Sequence, residues 1–234
     1  MPPLNKAYMI QTARQKFHGS NPKLAGPAGM EFNTYIEGMC AAICEAHNQW
    51  RTKAFFKGLL INGPTAIGGR LEGPNLELLI GANAPRSGIQ GWGPKFSKAI
   101  AGVLGAAWKE YQQSFSVPGL PWYPTFAAVP NKMAAPTPNT PTPLSSCTNN
   151  LGILSPSSLK ARMSSALGTP GPSSGELFES VAAGFYAAVQ MWLPSQPVTN
   201  VLAKGSVPNY APPYVPVGPV VMGDNISAPG HLLT

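Results

Sequence analysis

Cys40, Cys44 and His47 stand at positions i, i+4 and i+7 of one apolar stretch, and no other trio in the chain has spacing suited to chemistry. On a helix they would share a face one turn apart, where two thiolates and an imidazole could hold a metal, or a cysteine could attack with the histidine as its base. A nucleophile of that kind also needs an acidic group to orient the base, and none is spaced to serve as that orienter. Buried cysteine commonly behaves as a small hydrophobe. Packing is therefore the preferred reading, with metal binding left open and neither a metal nor a cofactor expected. Cys147, beside a proline-rich run, reads as a spectator.

Other catalytic classes lack their residues. Asp224 is the single aspartate, and no spacing among the glutamates suggests a paired acid and base. His18 and His231 stand apart, and no zinc-protease, nucleophile-elbow, phosphate-loop or dinucleotide signature occurs. Trp50, Trp92, Trp108, Trp122 and Trp192 fall near predicted helix ends or extended arms. Core anchoring is their default role, with sugar or base stacking the minor alternative. The chain is expected to be non-enzymatic and without a small-molecule substrate.

The elements that must carry these residues are legible as three predicted helices, about 30–52, 95–115 and 175–193. Aligned on Phe32, Phe96 and Phe178, they share a glycine six residues on: Gly38, Gly102 and Gly184. Pairs of small residues follow at nine and ten: Ala41 and Ala42, Gly105 and Ala106, Ala187 and Ala188. This spacing draws one slim stripe down each helix, against which another helix can pack closely. A Gly-Pro pair precedes each helix: Gly26-Pro27, Gly93-Pro94 and Gly171-Pro172. Extended segments follow at 55–69, 124–144 and 201–219, and Val129-Pro130-Asn131 repeats as Val207-Pro208-Asn209. A threefold internal repeat is the result.

The fold expected is α+β and helix-rich: three pseudo-repeated modules, each a helix followed by a Pro-rich extended arm or short hairpin. The three helices would cluster through their stripes about an approximate threefold axis. The divisions are an N-terminal arm (1–29), module 1 (30–92), module 2 (93–150), a short helix and linker (151–174), module 3 (175–222) and a loosely held tail (223–234). Within 151–174, Ser155 to Gly168 reads as a helix with Ser155 as N-cap, Pro156 in its first turn and an apolar face of Leu159, Met163, Ala166 and Leu167. Proline removes ladder donors, so the arms are predicted to lie across a surface and not in mid-sheet. Phe56, Leu60, Phe126, Val129, Met133, Tyr210, Tyr214 and Val217 are the side chains expected to meet a partner.

Composition points the same way. Charged residues are 11% of the 234, against roughly 25% in soluble domains, so part of the surface is expected to face other subunits. Proline and glycine make up 52 of 234 residues, about twice the usual share. The net charge is +7, and residues 1–57 hold seven basic residues against three glutamates. Without a basic run or a recognition motif, nucleic acid is not expected as a partner. No stretch approaches the ~20 apolar residues of a membrane span, so a membrane partner is not expected. The first residues lack the pattern of a signal peptide. Three cysteines do not make a disulfide framework. Synthesis in the cytoplasm, followed by incorporation into a particle, is the expectation.

The stretch WYPTFAAVPNKMAAPTPNTPTPL (122–144) resembles structural proteins of contractile-tailed phages and related injection particles. The resemblance implies a virion protein of the tail or baseplate, whose partners are other structural subunits around a threefold or sixfold axis. A capsid-decoration or head-completion protein and a membrane-active effector remain as alternatives.

Overall fold

The computed structural model describes residues 3–22, 27–123, 136–206, 210–211, 215–216 and 220–233, with 27–28, 210–211 and 215–216 described by backbone alone. The chain is α+β and helix-rich. Six α-helices occur among the described residues: α1 (Lys6–Ser20), α2 (Pro27–Lys53), α3 (Leu76–Asn83), α4 (Gly93–Gln113), α5 (Pro156–Leu167) and α6 (Ser174–Ser195). The strands are β1 (Phe55–Asn62), β2 (Thr65–Glu72), β3 (Val117–Leu120), β4 (Thr142–Pro143), β5 (Pro197–Val198), β6 (Ala203–Ser206), β7 (Tyr210–Ala211), β8 (Val215–Pro216) and β9 (Val221–Asn225). Five of them form an antiparallel sheet in the order β3-β2-β1-β9-β6, while β4–β5 and β7–β8 are separate pairs.

The helix boundaries fall near where the sequence suggests, although the Ser155 side chain makes no capping hydrogen bond to α5. Pro94 and Pro156 sit in first turns, where a missing N–H costs nothing. Gly168 ends α5 at φ 74°. On α5, Leu159 and Met163 are buried, whereas Ala166 is exposed and Leu167 half-buried.

The segment expected to be an N-terminal arm is instead largely α1. Asn5 caps it by accepting from the Tyr8 N–H at 3.0 Å. Met9, Ala13 and Phe17, four residues apart, turn one buried stripe against α6. The Glu179 carboxylate on α6 receives Lys16 Nζ of α1 at 2.8 Å and Lys160 Nζ of α5 at 2.6 Å, which holds its pKa down at about 2. The 223–234 tail is not loosely held either: β9 lies within the sheet, and Leu232 is fully buried in the cluster that also takes in the long helices.

The three long helices do not meet through their small-residue stripes. An added Cβ on Gly184 would stand 2.7 Å from the Met9 carbonyl oxygen of α1. On Gly105 it would stand 2.5 Å from the Glu77 Cβ of α3, and on Gly38 3.1 Å from the Pro85 Cγ. The α6 stripe receives α1, and the α4 and α2 stripes receive α3 and the residues just after it. Ala42 and Ala188 are buried, Ala41, Ala187 and Gly102 half-buried, and Ala106 exposed. What α2, α4 and α6 share is aromatic: Trp50, Trp108 and Trp192 converge around His47, with ring centroids 4.6–6.4 Å apart.

Candidate assembly surface

Within the hairpin β1–β2, Phe56 stands opposite Leu71 near one end and Ile61 opposite Ala66 near the other, all four buried. Strict alternation cannot bury both Phe56 and Ile61, five residues apart on one strand. The switch occurs at Gly58, with φ 74°, across from Gly68 and Gly69, with φ 73° and 71°. A left-handed residue on each strand turns the following side chains over. Leu60 and Ile67, directly paired, are thereby sent to the outer face, 44% and 46% exposed.

The row continues across the sheet. Ile67 pairs with Pro118 on β3, also exposed. On the other side β9 presents Val221 and Met222, 41% and 81% exposed. Met222 holds φ 50°, a region that disfavours an unbranched non-glycine side chain by roughly 1–2 kcal/mol. Its N–H donates to Asn62 Oδ1 at 2.9 Å, and Gly63 N–H donates to the Val220 carbonyl at 2.7 Å, which fixes β9 to the hairpin end. Among the described residues nine large hydrophobic side chains are exposed, and four of them, Leu60, Ile67, Val221 and Met222, belong to this one sheet, a concentration that single scattered residues would not give. Around them stand Lys57, Arg70 and Lys204, with Asp224 opposite Lys204 in the strand register and Glu72 tied to Arg70 at 2.7 Å.

Buried amides tie backbone groups together where strand pairing stops. Asn225, 2% exposed, accepts from the Leu59 N–H at 3.1 Å and donates to the Phe56 carbonyl at 2.8 Å. Asn139 likewise accepts from the Val201 N–H and donates to the Val198 carbonyl, both at 2.9 Å.

Of the side chains expected to meet a partner, Leu60 is on this surface. Phe56 is not: it is fully buried against Trp122, because Gly58 separates the faces of the two residues. The expectation that the arms avoid mid-sheet also fails for 55–62, since β1 is the middle strand and contains no proline. Phe126, Val129, Met133, Tyr214 and Val217 lie outside the described residues. Tyr210 begins β7. Most of 122–144 is likewise outside them.

The Cys40, Cys44, His47 trio is not gathered for chemistry. Burial pushes the Cys40 thiol well up, with Cys44 adding to it, and pushes Cys44 up to about 12 despite Lys6. Cys44 Sγ lies 3.6 Å from Met9 Sδ, while His47 stands among the tryptophans. Burial, and secondly Arg51, lowers His47 to about 3. Among the described residues no three His, Cys, Asp or Glu side chains are placed to hold a metal. Cys147 is buried, which raises its thiol to about 12. A groove of about 610 Å³ between β2, α3 and α4 mixes Arg70 and Lys109 with Glu72 and Glu77, so its charge favours no ligand class. No described helix is long and apolar enough to cross a membrane. No protein-family model, curated protein or solved structure matches the chain.

Proposed function

We propose that this chain is a non-enzymatic structural subunit of a large assembly, docking through the outer face of its five-stranded sheet. The observation that carries the reading is the apolar row Pro118, Ile67, Leu60 with Met222 beside it, on a face that the described residues leave open. Backbone strain at an exposed methionine adds to it, since a conformation that costs stability persists where it serves a contact. The partner is a different subunit with an apolar centre and an acidic rim: each copy of the chain carries +7, which opposes pairing of two like faces. The choice of a phage tail or baseplate particle rests on the resemblance of residues 122–144 alone.

The double variant Leu60→Lys/Ile67→Glu, which sets opposite charges across the pair, tests the docking face. Both side chains are about half exposed, so the variant is expected to fold and to melt within a few degrees of wild type. It should be missing from the high-molecular-weight particles sedimented from producing cells, where wild type is found. Co-sedimentation of the variant at the wild-type level would refute this face as the docking site.

A further inference from the structure

Residues 226–233, after β9, run back across the junction of α2 and β1. Gly230 and His231 N–H groups donate to the Ala54 carbonyl at 3.2 and 3.1 Å. The Leu232 carbonyl accepts from Arg51 Nη1 at 3.0 Å and Gln196 Nε2 at 2.9 Å. Thr199 closes the far side, its N–H on the His231 carbonyl at 2.8 Å and its hydroxyl on the Leu233 carbonyl at 2.6 Å. At the centre, the Phe56 N–H points at His231 Nδ1, 2.8 Å away.

A backbone N–H can only donate, so Nδ1 must present its lone pair and the ring proton sits on Nε2. That tautomer is held inside the protein: His231 is 1% exposed, and its Nε2 has no hydrogen-bond partner. A second proton on the ring would go to Nδ1, which would set two donors face to face and leave a buried cation without a counter-charge. Among the described residues the surroundings offer no relief. From α2 comes the Arg51 guanidinium, of like sign. From β1 come Phe55 and Phe56, and from the segment after α6 come Gln196 and Thr199, none of which titrates.

We propose that residues 226–233 form a strap released by a proton, with the imidazole of His231 as the group whose protonation breaks the strap from β1. Burial holds His231 at about 4, against roughly 6.5 when free. Because the bound form is neutral, the strap is held fully above about pH 6.5 and loses its hold as pH falls toward 4. His47 titrates lower still, at about 3, so the strap should open before the aromatic centre is disturbed. Opening frees the Phe56 N–H and the Ala54 carbonyl at the start of the strand that carries Leu60. This inference does not depend on the assembly reading.

The test is hydrogen exchange on the full chain between pH 7 and pH 4, corrected for the intrinsic pH dependence of exchange, in wild type and His231→Asn. The asparagine Oδ1 takes the place of Nδ1 as acceptor and does not titrate. In wild type, protection at Gly230, His231, Leu233 and Thr199 should fall by on the order of 100-fold, while α6 keeps its protection. In H231N the strap should keep its protection at pH 4. An equal fall in both proteins, or no fall in wild type, would overturn the proposal. So would simultaneous loss of protection in α6. Should H231N fail to hold the strap at neutral pH, the wild-type ring decides: its titration by NMR must share a midpoint with strap opening, and separate midpoints overturn the proposal.

Discussion

The imidazole of His47 stands edge-on to the indole of Trp192, ring centroids 4.6 Å apart and planes at 86°, with neither ring nitrogen hydrogen-bonded. One histidine thus fills the space where the three long helices come together, as a neutral aromatic group in an apolar setting.

That placement makes it an acid-sensitive point. Its pKa is lowered from 6.5 to about 3, so it contributes stability that is full above pH 6.5 and declines as pH falls toward 3. His47→Phe should fold normally at pH 7.5. Between pH 7.5 and pH 5 it should gain about 2 kcal/mol on wild type in urea unfolding. Glu179 acts in a lower window, from its usual 4.5 down to about 2, so its loss does not mimic this one. Parallel stability curves for H47F and wild type over that interval would show that His47 is not buried neutral.

The stripe glycines should respond differently to one methyl group. Gly184→Ala and Gly105→Ala place a Cβ 2.7 and 2.5 Å from backbone or Cβ atoms of α1 and α3, at a cost of about 1–3 kcal/mol. The added Cβ of Gly102→Ala meets only the Glu77 carboxylate, at 3.7 Å. It should stabilise α4 by roughly 0.5–1 kcal/mol. Thermal melts of the three variants check this, and equal effects would mean that the stripes do not receive α1 and α3.

Asn225→Ala leaves the Leu59 N–H and the Phe56 carbonyl buried and unpaired, a loss of about 2–4 kcal/mol. Asn225→Asp keeps one acceptor but buries a charge, so it should cost more. Urea midpoints decide; an N225A protein as stable as wild type would show that water or backbone replaces the amide.

Met222→Gly should separate stability from assembly. Relief of the φ 50° conformation is worth about 0.5–1 kcal/mol after the greater freedom of glycine in the unfolded chain is deducted. The same change removes the most exposed apolar side chain of the docking face, so incorporation into particles should fall. A variant that is more stable and equally incorporated would take Met222 out of the contact.

Helices α2, α4, α5 and α6 were legible because Gly-Pro or Ser-Pro starts and helical spacing of apolar residues agree locally. Helix α1 was not, since KAYMIQTARQKFHGS is largely polar and its buried stripe is a single row, Met9, Ala13 and Phe17. The sheet joins Asn62 to Met222 across 160 residues, a pairing no local pattern encodes. Phe56 and Leu60 share a face under strict alternation. Only the left-handed Gly58 between them reveals that one is core and the other surface, and Met222, the last residue of the expected module 3, carries no signal beyond being apolar.

Quantitative mass spectrometry of particles sedimented from producing cells, with copies of this chain counted per particle, tests the structural role most directly. The account predicts co-sedimentation at a few copies, in a multiple of three or six. Absence of the chain from every particle fraction would contradict it.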